Sequence, residues 1–253
     1  MTDALLRTEV LSKSFGGLRA VADVSLSFPV GSLHAVIGPN GAGKTTLINM
    51  LSGDLKPTSG AIYLNDENIA GLRADRISQK GIGRSYQKTN ILAEMTALEN
   101  VRLAAQSRQT GLVGALTSAT KRRDLIDQAR AALDRVGLAA NDDGRPASAL
   151  SHGEQRQLEI AMTLATKPSA LLLDEPLAGM GPEETERMVG LLKSLVPGHA
   201  VILVEHDMDV VFSVADQLTV MVNGQVLESG TPEVIRSSEA VREAYLGGED
   251  DDV

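Results

Sequence analysis

The chain has 253 residues, enough for one large domain or two small ones, with the ordinary hydrophobic content of a globular protein. Its net charge of −9 argues against a general nucleic-acid binder, so no nucleic-acid partner is expected. The absence of cysteine removes disulfides, thiol catalysis and cysteine metal sites. The N-terminus, MTDALLRTEV, carries no signal-peptide pattern. The longest uncharged stretch, Val24 to Gly43, is broken by Pro29, Pro39 and glycines, so any membrane role must come through a partner.

Residues 5 to 35 read as strands. LLRTEVLSKSF alternates, Gly16-Gly17 makes a turn, and VADVSLSF returns, an antiparallel hairpin leading into a short apolar strand at Leu33 to Ile37. GPNGAGKTT follows at once, Gly38 to Thr46. It has the form G-x-x-x-x-G-K-[ST], with Gly38, Gly43, Lys44 and Thr45 in the defining positions. Leu47, Ile48 and Leu51 then mark a helix that ends near Gly53. Strand, glycine loop and helix make a phosphate cradle. The glycines let N–H groups converge on one anion, and the helix N-terminus adds partial positive charge. Lys44 can reach the outer phosphates, and the Thr45 hydroxyl can ligate Mg²⁺.

Gly60 to Leu64 adds a strand, and from about Glu94 to Lys167 the pattern turns helical. Met95 to Gln109 and Lys121 to Val136 are the clearest helices, separated by the loop GLVGALTSAT. A second loop, AANDDGRPASA, precedes Leu150. A helix then begins near Ser151, with Leu158, Ala161, Met162 and Ala165 on one face. Ser151 and Glu154 have capping-box spacing. Ser151, the backbone at Gly153 and the helix N-terminus also form a second phosphate-binding surface, which suggests a nucleotide held by another copy or a partner.

After Lys167 strand and helix alternate. Ala170 to Leu173 and Ala200 to Val204 are buried parallel-strand runs, and Pro182 opens the helix between them. Asp174 and Glu175 end the first of these strands, at the edge where open α/β sheets carry ligands. Asp174 can hold Mg²⁺, and Glu175 can polarise an attacking water. His206 follows the second strand. By itself it caps a helix starting near Asp207; beside a phosphate loop it reads as a γ-phosphate contact. His34 and His199 read as structural or surface residues, because nothing pairs them for metal binding. Thr219 to Val222 and Gln225 to Glu228 flank the hairpin turn Asn223-Gly224, and GEDDDV is an acidic tail.

With these motifs in place, the chain resembles the ATP-binding-cassette (ABC) ATPases from about Leu5 to Gly247. LSHGE, Leu150 to Glu154, falls on the family's signature, where the common form has Gly for His152 and Gln for Glu154. Gln87 in GRSYQKTNIL falls on its Q-loop and His206 in VEHDM on its switch histidine. Phe15 in SKSFGG falls on its adenine platform, although in isolation Phe15 reads as core. Ala178 to Gly181 fall on the D-loop, with Gly181 replacing the usual Asp. QLEIAMTLAT, DEPLAGMGPEET, VEHDMDVVF and EAVREAYLG are similar to the ATPases of branched-chain amino-acid importers. Urea and amide importers of the same clade share these phrases, as do lipopolysaccharide-export ATPases more weakly.

The resemblance implies an α/β fold: a phosphate-loop NTPase with a RecA-like core, an antiparallel β subdomain and a helical subdomain. Residues 1–90 and 165–247 would form the core with the β subdomain, 91–164 the helical signature subdomain and 248–253 the tail. It implies an ATP-hydrolysing transporter subunit that uses ATP and Mg²⁺. Glu175, His206 and Gln87 would be catalytic. Phe15, Val21, Asn40, Gly41, Ala42, Gly43, Lys44, Thr45, Thr46, Ser151 and Gly153 would bind nucleotide, and Thr45, Gln87 and Asp174 the metal. The implied partners are a second ATPase subunit arranged head to tail, transmembrane permease subunits and, indirectly, a periplasmic binding protein. The implied place is the cytoplasmic face of the inner membrane.

Overall fold

The structure, a computed structural model, describes residues 4–86, 90–107, 119–138 and 144–246. Gln87, most of the GLVGALTSAT loop, the start of the AANDDGRPASA loop and the acidic tail lie outside the described residues.

Two sheets organise the molecule. The first is antiparallel and is built on the long strand β1 (Ala4–Phe15). The expected hairpin is present: β2 (Leu18–Val24) returns along the second half of β1, with Phe15 opposite Leu18 across the Gly16-Gly17 turn. The return does not run straight on. After β2 the chain forms β3 (Ser27–Pro29) against the first half of β1, while register shifts interrupt the β1–β2 pairing between Leu11 and Ser14. β4 (Ser32–Ile37) then enters the second sheet, and helix α1 (Lys44–Ser52) follows the glycine loop. β5 (Ser59–Leu64) and β6 (Glu67–Asn68) complete the first sheet, in the order β2-β1-β5-β6 with β3 beside β1.

Helix α2 (Ala74–Lys80) and β7 (Ile82–Ser85) come next. The helical segment contains α3 (Ala97–Gln106), α4 (Ala119–Arg135) and α5 (His152–Ala165). α3 starts two residues later than the periodicity suggested, since Thr96 caps it and closes a capping box with Glu99. The remainder alternates: β8 (Ala170–Asp174), α6 (Pro182–Leu195), β9 (Ala200–Val204), α7 (Met208–Val214), β10 (Gln217–Val222), β11 (Gln225–Gly230), α8 (Pro232–Ser237) and α9 (Glu239–Leu246).

The second sheet has the order β11-β10-β4-β9-β8-β7, and β10 through β7 run parallel. Its side chains alternate between two cores. Leu33, Ala35, Ile37, Leu171, Leu173, Val201 and Leu203 pack with α3 to α7, whereas Val36, Ala170, Leu172, Ile202 and Val204 pack with α1 and the antiparallel sheet. Both faces are therefore covered, which explains why these strands read as unbroken apolar runs. The Asn223-Gly224 turn has φ of 48° and 80°, the paired positive values that a tight two-residue hairpin requires.

Because β4, β9, β8 and β7 are parallel, their C-terminal ends share one edge. That edge gathers Gly38 after β4, Glu205-His206 after β9, Asp174-Glu175 after β8 and Tyr86 after β7.

Candidate functional site

The glycine loop is held from behind by both sheets. A Cβ on Gly38 would overlap the Met221 carbonyl, and one on Gly43 would overlap the Ala20 carbonyl; both glycines have positive φ, 150° and 100°. Val21 has no exposed surface, and its Cγ2 would meet a Cβ on Gly43. Val21 thus supports the loop from beneath at Gly43. Asn40 and Gly41 are exposed at the tip, and Ala42 is buried.

No side chain caps α1, so the first-turn N–H groups of Lys44, Thr45 and Thr46 face the loop mouth. Lys44 Nζ donates to the carbonyls of Gly38 at 2.6 Å and Pro39 at 3.0 Å, folding over the loop. Burial pulls its ammonium pKa down, opposed by the charges of Glu175 and Asp174. Thr45 is exposed beside it.

Asp174, the last residue of β8, is 2% exposed. Burial raises its carboxyl pKa; Arg84 opposes the shift, and Glu175 adds to it. The Arg84 guanidinium reaches Asp174 Oδ2 at 3.2 Å, Asp54 Oδ2 at 2.8 Å and Ser52 Oγ at 2.8 Å, and lies 4.6 Å from the Tyr86 ring centroid. Glu175 adopts a left-handed conformation, φ 49°, and its N–H donates to the Val204 carbonyl at 2.9 Å. A non-glycine residue rarely holds that geometry without support from its surroundings.

His206 is exposed, its Nδ1 3.7 Å from Glu205 Oε2. Asp207 supplies the cap of α7, accepting from the Val210 N–H at 3.1 Å, so His206 itself is not the cap. Phe15 is 49% exposed, with Lys13 Nζ 5.1 Å from its ring centroid, so it is not a core residue. Of the two readings for His34 and His199 the structural one holds: both are buried and bonded within the fold, to Thr219 and to the Leu195 carbonyl.

The signature segment shows the capping box in full. Ser151 Oγ accepts the Glu154 N–H at 3.2 Å, and Glu154 Oε2 accepts the Ser151 N–H at 2.7 Å. Gly153 is buried, and a Cβ there would lie 2.6 Å from Glu184 Oε1; Ser151 Oγ donates to the same oxygen at 3.4 Å. A carboxylate from α6 therefore stands against the Ser151 hydroxyl and the Gly153 backbone, the groups that the sequence suggested for a partner's phosphate. Ser151 and Gly153 lie together at the N-terminal end of α5 and not on the sheet edge. A groove of about 640 Å³ runs from them between the end of α4 and α6.

Three residues of this site were not anticipated. Glu205 gave the same signal as Asp174, an acid ending an apolar strand, and could have been found. Arg84 and Glu184 gave none, since their partners lie far away in sequence. No group of three or more potential metal-ligating side chains occurs among the described residues.

The model of the ABC transporter family matches residues 21–178, a span holding the glycine loop, the signature segment and Asp174-Glu175. The chain belongs to the ABC transporter family. A branched-chain amino acid ATP-binding cassette transporter model matches residues 225–251 at the C-terminal end of this ABC cassette. The cassette is 41% identical to the high-affinity branched-chain amino acid transport ATP-binding protein LivG of Escherichia coli K12, covering 98% of this chain and 99% of that one. It is 42% identical to BraF of Pseudomonas aeruginosa, named for the same transport, with the same coverage. Among solved structures, a nucleotide-free ATP-binding cassette superposes with a TM-score of 0.84 at 31% identity, covering 96% of this chain and 98% of that one. A dimeric cassette bound to ADP and phosphate does so with a TM-score of 0.77 at 26% identity, covering 90% and 98%. The ABC fold expected from the sequence is thus present, with its parallel nucleotide-binding core, antiparallel sheet and helical segment. As an ABC ATPase the chain binds nucleotide.

Proposed function

We propose that this chain is the ATP-hydrolysing subunit of an importer for branched-chain amino acids. The observation that carries the reading is the shared sheet edge. It brings a phosphate-cradling loop, a buried Asp174 with Glu175 beside it and an exposed histidine together on a chain over 40% identical to LivG and BraF. The C-terminal match over residues 225–251 favours this solute over urea, amides or lipopolysaccharide.

In this reading the N–H groups at the start of α1 and Lys44 bind the β- and γ-phosphates, and Phe15 stacks on the base. Thr45 and Asp174 would hold Mg²⁺, which supplies charge neutralisation for the transferred phosphoryl group; Gln87 completes the expected metal set. Glu175 accepts a proton from the attacking water, and His206 contacts the γ-phosphate from the far side of the edge. Lys44 must leave the Gly38 and Pro39 carbonyls to engage phosphate, an exchange of neutral acceptors for charged ones.

Ser151 and Gly153 serve the nucleotide of a second ATPase subunit, arranged head to tail. Glu184 must turn away for that phosphate to approach. No helix among the described residues is long and apolar enough to cross a membrane, so attachment at the cytoplasmic face runs through permease subunits. Residues 1–90 and 165–247 act as the core and 91–164 as the arm that carries the signature. The test is reconstitution with the permease pair, a sister ATPase and the periplasmic binding protein. Leucine-loaded binding protein should raise ATP turnover several-fold. A response to urea or short amides instead would overturn the solute assignment, and co-purification with lipopolysaccharide-export membrane subunits would overturn import.

A further inference from the structure

Glu205 has no part in the chemistry set out above, yet it is among the most completely buried charged side chains of the molecule, 1% exposed. A carboxylate so placed costs free energy unless its oxygens are satisfied. Both are. Oε1 accepts the Leu177 N–H at 2.9 Å, and Oε2 accepts the His206 N–H at 3.2 Å. Oε2 also lies 3.7 Å from His206 Nδ1. Burial raises the carboxyl pKa, the two N–H groups counter this, and the nearby charge of Glu175 adds to it.

The two N–H groups belong to different elements. His206 follows β9. Leu177 opens the turn that leaves β8, where the Ala178 N–H reaches the Glu175 carbonyl at 3.3 Å and the Met180 N–H reaches the Leu177 carbonyl at 3.2 Å. That turn runs into α6, whose Glu184 stands over Ser151 and Gly153. Among these contacts the Glu205 carboxylate is the link that joins the histidine to the start of the turn.

We infer that Glu205 is a positioning residue that ties His206 to the turn at residues 177–180, so that a displacement at the γ-phosphate contact is carried to the edge facing the second subunit. The inference rests on the proposed ATPase reading. It does not require Glu205 to touch nucleotide. A residue that acted only by filling the core would give a different pattern when altered, because its loss would not move these two backbone segments together.

The experiment uses the full chain assembled with its ATPase partner, and compares Glu205→Gln and Glu205→Asp with the unaltered chain. Gln keeps one acceptor and the shape; Asp keeps the charge but reaches less far. Both should lower kcat for ATP about tenfold while KM changes by no more than about twofold, the pattern for lost positioning without lost binding. Amide hydrogen exchange should quicken about tenfold in the peptide 176–181 and at His206 together, with α1 unchanged. A kcat within about twofold of the unaltered chain would overturn the inference. So would a rise in KM at constant kcat, or faster exchange in only one of the two segments. The exchange result reads the link without hydrolysis. If the unaltered assembly shows no turnover, or Lys44→Ala leaves turnover intact, the ATPase reading fails instead.

Discussion

Lys44 is the side chain on which the site's charge balance turns. Its Nζ folds onto two loop carbonyls, and the acids Glu175 and Asp174 hold its charge against burial. Lys44→Ala should abolish ATP turnover and weaken nucleotide binding, because phosphate charge is the largest interaction such a loop makes. A purified ATPase assay beside equilibrium binding of a fluorescent nucleotide checks both. His34 offers a separate test, remote from the chemistry. It is buried under Phe28 and bonded to Thr219, and burial lowers its pKa from 6.5 to about 4. The neutral ring is favoured in the fold and the charged ring in the unfolded chain. His34 therefore stabilises the protein above the unfolded value, and that stability is lost as pH falls from 6.5 toward 4. Between pH 7 and pH 5 the loss should be on the order of 2 kcal/mol. Urea denaturation at both pH values, with His34→Gln as reference, should show a shallower pH dependence for the variant.

Elements differ in how plainly the sequence announced them. β4, β8 and β9 are buried on both faces and read as apolar runs. The 217–230 hairpin carried its turn chemistry in Asn223-Gly224. β7 was invisible: IGRS has one large apolar residue, and its strand conformation comes from pairing with β8. The capping box at Ser151 was legible, since both partners lie within one turn; Glu184 above it was not, being 33 positions away. Arg84 belongs to the same hidden class. It joins the end of α1 to the ends of β7 and β8 through Ser52, Asp54 and Asp174. Arg84→Ala would leave the Asp174 carboxylate buried without its cation. The expected cost is roughly 3–5 kcal/mol, more than deletion of an exposed ion pair. Chemical denaturation measures it. A cost below about 1 kcal/mol would mean that Lys44 alone compensates Asp174.

At the scale of the whole molecule, the proposed head-to-tail pairing rests on the signature segment standing at the start of α5 and not on the sheet edge that carries the glycine loop. Glu175→Gln should leave ATP binding intact and reduce hydrolysis by about two orders of magnitude or more, because shape is kept and the water-polarising carboxylate is lost. ATP should then accumulate the closed pair, seen by sedimentation with permease and sister subunit present. Only single subunits under those conditions would count against the head-to-tail arrangement.

One further consequence lies in the hairpin tip at Asn223-Gly224. Tips of this kind are ordinarily the safest place to splice in a tag or reporter. Here the tip is a keystone. Gly224 is buried, its N–H donates to the Ala42 carbonyl at 3.0 Å, and its carbonyl accepts the Ala22 N–H at 2.8 Å. One residue thus laces the glycine loop, the antiparallel sheet and the parallel sheet together. An epitope inserted there would unlace all three, whereas the Gly16-Gly17 turn, with open space around both glycines, would leave the seam closed.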